Sequence, residues 1–188
     1  MRSFTIVDIL RRRSCHEFSD GSVSPDAIET MIRAAMSGND HGQLQPWEFR
    51  IFIGQGRAQL AAAFVRHAIA EGEDPHRCKK AETAPFRSPV VICVSTSRRE
   101  CKIPFRDQLF SAVSACQLIT LTAHLLGFAA IWKTGVWATS SIVRECLGIK
   151  RDDEIVGFIH VGVRAGPEAS PRCFPTDKVL IESSFVAR

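Results

Sequence analysis

Residues 88–95, Ser-Pro-Val-Val-Ile-Cys-Val-Ser, constrain the fold more than any other stretch. The run is apolar without alternation and is bounded by proline, so it reads as a buried strand at the centre of a sheet. Residues 36–53 suggest what stands beside it. Gly38 and Asn39 tolerate the left-handed backbone that stops a helix. From Trp47 the apolar residues fall at 47, 49, 51 and 53, the period of a strand with one buried face. Between them, Asp40-His41-Gly42-Gln43-Leu44-Gln45-Pro46 offers carboxylate, imidazole and amide groups. Such a loop can bond a planar heteroaromatic ligand, or it is an ordinary polar connection.

The remaining signals fill in the order of elements. A short helix is expected over 4–11. Ser24 is a good N-cap ahead of Pro25, and the helix it starts carries Ile28, Met31, Ile32, Ala35 and Met36 on one face until Ser37. Helices follow over about 57–70 and 75–83. The longest helix, over 105–126, is apolar nearly all round in its second half and should run through the core or an interface. Strands are expected at 128–132 and 154–163, with Lys133-Thr134-Gly135 a loop and Ser140 capping a helix that ends at Gly148. The last 25 residues carry Pro167, Pro171 and Pro175 and read as extended. Their apolar end, Val179-Leu180-Ile181 and Phe185-Val186, needs something to bury against, such as a neighbouring subunit. Helices and strands mix without strict βαβ repetition, so the class is α+β in a single domain over 1–188.

Composition narrows the function. Net charge is only +4, from 24 basic and 20 acidic residues, and tyrosine is absent, so a nucleic-acid footprint of basic stripe and stacking aromatics is not expected. The clusters Arg11-Arg12-Arg13 and Arg98-Arg99 suit small anions such as phosphates. No apolar run is long enough to span a membrane, and Asp8 and Arg11 interrupt any signal-peptide core. Seven cysteines without a C-x-x-C pair read as reduced thiols of a cytoplasmic protein, with no metal site. The sequence has no G-x-S-x-G elbow, H-E-x-x-H, Walker A or G-x-G-x-x-G after a strand. Of the six histidines, His67 and His76 read as solvated, and His124 and His160 as satisfied core or interface residues. With no acid, base or nucleophile in evidence, the chemistry would belong to a cofactor.

Four motifs in order carry a resemblance: Arg12-Arg13-Ser14; Asp40-His41 through Gln45-Pro46-Trp47-x-Phe49; Ala84-Pro85-Phe86-x-x-Pro89; and Gly127-Phe128 through Ile131-Trp132-Lys133-Thr134-Gly135. Together they resemble the nitroreductase family, closest to its short, minimal-length branch, over about residues 5–163. The resemblance implies a central, mainly antiparallel sheet flanked by helices, with the C-terminal tail exchanged between subunits. It also implies a homodimer with non-covalent FMN at the subunit interface. Arg12 and Ser14 would hold the FMN phosphate, as a guanidinium and a hydroxyl can, and Arg13 is matched too. His41 and Gln45 would meet the ribityl chain or ring edge. Ser37 falls where the short branch has a flavin contact from the other subunit, usually an arginine. Trp132, Lys133 and Thr134 would lie by the isoalloxazine or the phosphate. His16 replaces a frequent basic residue two after the serine. For several of these a plainer reading stands beside the functional one. Arg11–Arg13 could be a solvated helix end, Trp47 and Trp132 core aromatics, and Gln45-Pro46 a shaper of the following strand.

The activity so implied is NAD(P)H-dependent oxidoreduction through FMN. Hydride passes to the flavin and then to a small-molecule acceptor, a nitroaromatic, quinone or similar flat compound. Lys133 is expected to tune the flavin and no side chain to be catalytic in the strict sense. A flavin-binding or storage protein without reductase activity is the alternative, and an interaction module docking a partner through its tail a third.

Overall fold

The computed structural model describes residues 5–167, so the tail expected to be exchanged lies outside the described residues from 168 onward. Thirteen elements follow in order: α1 (Ile6–Arg11), β1 (Phe18–Ser19), α2 (Pro25–Met36), β2 (Trp47–Ile53), α3 (Gly56–Ala70), α4 (Pro75–Thr83), a 3₁₀ turn (Ala84–Arg87), β3 (Val90–Thr96), α5 (Phe105–Leu125), β4 (Ala129–Lys133), α6 (Gly135–Thr139), α7 (Ser141–Cys146) and β5 (Ile155–Arg164). β2, β3 and β5 pair antiparallel, and β4 pairs antiparallel with the far side of β5. β1 pairs antiparallel with the end of β5, with Phe18 opposite Arg164. The sheet is antiparallel and helices cover both its faces, so the fold is α+β.

β3 is buried along its whole length, as its unbroken apolar run requires. Its alternation divides the core. Val90, Ile92 and Val94 face α2 and α5, where Met31, Ala35, Ala112, Ala115, Cys116, Ile119 and Ala123 are buried. Val91 and Cys93 face α3, α4 and α7, where Leu60, Phe64, Ala81 and Val143 are buried. The small residues of α5 let that helix lie close to the sheet. Burial pushes the Cys93 thiol up to about 12 and raises Cys116 as well, so both are neutral core fillers.

Two expectations fail in detail. β2 keeps one buried face only through Phe49; beyond it Phe52 is buried while Ile51 and Ile53 are 41% and 53% exposed. No described element covers the Ile51 and Ile53 face at that end of the strand. Its isoleucines line an open apolar groove of 820 Å³ with Ile28, Ile32, Met36 and Pro89. The 133–135 stretch also continues into α6, a short helix that no local signal marks. Trp137 anchors it by stacking on Phe64, with ring centroids 4.1 Å apart.

Candidate functional site

The candidate residues fall on the two opposite edges of the sheet. On one edge, α1 ends at Arg11 and the chain turns through Arg12 to run beside β4. Ser14 bridges Ala130 in parallel, and the Cys15 amide donates to the Ala130 carbonyl at 3.1 Å. That pairing fixes Arg12–Ser14 alongside the strand that ends in Trp132 and Lys133. Ser14 is exposed and Arg12 half-buried. The Arg13 guanidinium turns back on its own helix, donating to the carbonyls of Leu10 at 3.0 Å and Arg12 at 2.6 Å.

At the end of β4, Trp132 is half-buried and its indole N–H donates to the Val156 carbonyl at 3.2 Å. Gly157 permits this close packing, since a Cβ there would stand 2.7 Å from the Lys133 carbonyl and overlap the Trp132 ring. Lys133 is half-buried. Burial first, then the charges of Arg87 and Lys80, pull its ammonium below the ordinary lysine value. Thr134 is exposed, and although it stands at the N-cap position of α6 its hydroxyl caps nothing. These three residues form one wall of a 670 Å³ cavity. Its other wall comes from α3, α4 and the loop between them, with His67, Glu73, His76, Arg77 and Lys80. His67 is a correction: read as solvated, it is only 8% exposed.

On the other edge stand Ser37, His41 and Gln45. Ser37 closes α2, its hydroxyl donating to the Ala34 carbonyl at 2.8 Å. The loop after it is built around Asp40, whose carboxylate accepts from the Gln45 amide at 2.7 Å. That bond accompanies an unusual backbone: Gln43 and Gln45 both have positive φ, 53° and 50°. The clash of Cβ with the backbone carbonyl makes this conformation costly, by roughly 1–2 kcal/mol per residue. His41 Nδ1 lies 3.0 Å from an oxygen of Asp107 in the first turn of α5. The carboxylate favours the tautomer with its proton on Nδ1 and leaves Nε2 free. β2 and β4 are separated by β3 and β5, three interstrand steps or roughly 14 Å. The chain therefore holds its candidate residues in two separate groups.

A family model for the nitroreductase family matches residues 9–163. The chain belongs to the nitroreductase family. It is 35% identical over 155 residues to YdjA of Escherichia coli K12, a protein assigned by name as an NAD(P)H nitroreductase; the match covers 82% of this chain and 85% of YdjA. Among solved structures, a nitroreductase-like family protein from Bacillus cereus superposes with a TM-score of 0.83 at 26% identity, covering 97% of this chain and 98% of that one. A nitroreductase with bound FMN from Bacteroides fragilis superposes at 0.75 with 17% identity, over 95% and 98% of the two chains. That likeness is one of fold.

Within this nitroreductase, sequence reasoning passed over three residues. Asp107 is 66 positions from His41, so only the tertiary fold joins them. Lys80 and His67 belong to helices whose sequences gave no sign that they share a cavity with Lys133. The two histidines read as satisfied are so: His160 Nδ1 lies 2.9 Å from the Ser88 hydroxyl, and His124 Nε2 lies 2.8 Å from the Asp8 carbonyl. Among the described residues no group of three or more His, Cys, Asp and Glu could hold a metal, and no helix is long and apolar enough to cross a membrane.

Proposed function

We propose that this nitroreductase is an FMN-dependent NAD(P)H oxidoreductase that works as a homodimer in the cytoplasm. The observation that carries the reading is the Ser14–Ala130 bridge. It sets a guanidinium and a hydroxyl, Arg12 and Ser14, beside the strand that delivers Trp132, Lys133 and Thr134. FMN asks for that donor set: charge-assisted bonds for its phosphate, a flat surface for its ring, and a positive group for its pyrimidine edge. When bound, FMN supplies a two-electron carrier that accepts hydride from NAD(P)H and delivers it to a nitroaromatic, a quinone or a similar flat acceptor. Arg12 and Ser14 hold the phosphate, and Arg13 supports them by closing α1. Trp132 provides the packed surface at the ring. Lys133, which has no carboxylate partner among the described residues, would offer its charge to the flavin ring as it is reduced. Thr134 adds a hydroxyl donor.

The opposite half-site, Ser37, His41 and Gln45, is supplied by the second subunit. The apolar groove beside Ile51 and Ile53 supports a dimer, because an exposed apolar flank on an edge strand is ordinarily covered. Its occupant in this reading is the partner's C-terminal segment. The exposed Ile6, Val7, Ile9 and Leu10 of α1 extend the apolar surface available to a second copy. All described cysteines are free, as fits a reducing compartment. The test is the absorbance of protein purified with FMN, desalted, and titrated anaerobically with NADH and NADPH. Retained oxidised-flavin bands that bleach with either nucleotide are expected. A colourless protein, or bands that neither nucleotide bleaches, overturns the reading.

A further inference from the structure

The cavity behind Lys133 has a charge balance that a neutral acceptor does not use. It runs from the β4–α6 loop to α3 and α4, and its basic residues are Lys80, Lys133 and Arg77, with the imidazoles of His67 and His76. Glu73 is the one carboxylate in its lining, and Arg77 engages it at 3.0 Å. Lys79, next to Lys80, is paired with Glu82 at 2.8 Å, whereas neither Lys80 nor Lys133 has an acidic partner among the described residues. Buried in the same wall is the His67 imidazole, whose Nδ1 is shielded from solvent and has no hydrogen-bond partner among the described residues. Buried polar atoms are ordinarily paired, so the wall behind the two lysines is polar and not fully satisfied. The depressed Lys133 ammonium, held down by burial and by Arg87 and Lys80, is what a cluster of cations short of an anion shows.

We propose that this cavity is a subsite for a carboxylate or phosphate group carried by one of the two substrates, held between Lys80 and Lys133 with His67 behind them. The inference rests on the oxidoreductase reading for what enters the cavity, since Trp132–Thr134 form the shared wall. It adds a preference which that reading does not contain: the enzyme favours an anionic flat compound over its neutral analogue. Lys80 and Lys133 neutralise the anion through charge-assisted hydrogen bonds.

The test compares 4-nitrobenzoate with 4-nitrobenzamide, two acceptors of nearly the same size that differ in charge, using flavin-loaded protein. Wild type is expected to favour the benzoate in kcat/KM by about tenfold, the range of one charge-assisted contact. In Lys80→Met that ratio falls to near one, and Lys80→Arg restores it. Lys80 is exposed, so neither change threatens the fold. Where the anion is a phosphate of the nicotinamide donor, Lys80→Met instead raises the KM for NADPH or NADH and leaves the acceptor ratio unmoved. No change in either quantity overturns the proposal. So does loss of FMN from Lys80→Met, because the cavity would then serve the cofactor. Calorimetric titration of the purified wild-type and Lys80→Met proteins with 4-nitrobenzoate, 4-nitrobenzamide and the oxidised dinucleotide NADP reads anion binding without turnover. Protein that is colourless or inert toward NAD(P)H but binds one of the anions in a Lys80-dependent way would separate failure of the oxidoreductase reading from failure of the subsite.

Discussion

At Lys133 the fold sets charge against burial. The residue ends β4 half out of water, near two other cations, and gains from any anion that comes to it. In the reading given above, that anion includes the reduced ring of FMN. Lys133→Met is therefore expected to lower the midpoint potential of bound FMN by roughly 30 mV, equivalent to about 1.4 kcal/mol for a two-electron couple. An unchanged potential in spectroelectrochemical titration would remove Lys133 from that role. His160 shows burial acting on stability instead. It is held at about 4, against an ordinary 6.5, by burial first and then by Lys133 and Arg87. The folded chain refuses a proton that the unfolded chain accepts. Stability is thus complete above pH 6.5 and is lost as pH falls toward 4, by about 3 kcal/mol in total. His160→Gln should reduce the difference between urea midpoints measured near pH 7.5 and pH 4.5. A difference equal to that of wild type would contradict the assignment.

Among the elements, the loop between α2 and β2 stores the most visible strain. Gln45 sits at φ 50° with its amide donating to the Asp40 carboxylate. Gln45→Gly is expected to raise stability by up to about 1 kcal/mol while weakening flavin retention. A fall in stability on chemical denaturation, or undiminished flavin, would show that the side chain is structural. Elements governed by local chemistry were legible in the sequence. β3 follows from its unbroken apolar run, and α2 from Ser24, Pro25 and the spacing of Ile28, Met31 and Ala35. What was not legible depends on distant partners. α6 has no capping bond and exists because Trp137 finds Phe64. Ile51 and Ile53 keep the spacing of a buried face, yet no described element covers them. His67 lies on an alanine-rich helix, where sequence does not distinguish the wall of a cavity from solvent.

For the whole molecule, the candidate residues divide between the two edges of the sheet. β4 carries the Arg12–Ser14 and Trp132–Thr134 half, while β2 is preceded by the Ser37, His41 and Gln45 half. The motifs singled out Arg12–Ser14, His41, Gln45 and Trp132–Thr134 as candidates, but sequence order alone could not place them on opposite edges. A dimer that joins one half from each subunit explains this separation, and it is tested most directly by mixing two defective proteins. Arg12→Glu is broken in one half and Gln45→Glu in the other, and each homodimer is expected to lose FMN. Mixed under conditions that exchange subunits, heterodimers regain one intact site of two, so about one site in four of the whole population should bind FMN again. Recovery of the oxidised-flavin spectrum and of NAD(P)H-dependent bleaching in the mixture is the predicted result. A mixture in which heterodimers are present by mass spectrometry yet no flavin returns would contradict a site shared between subunits.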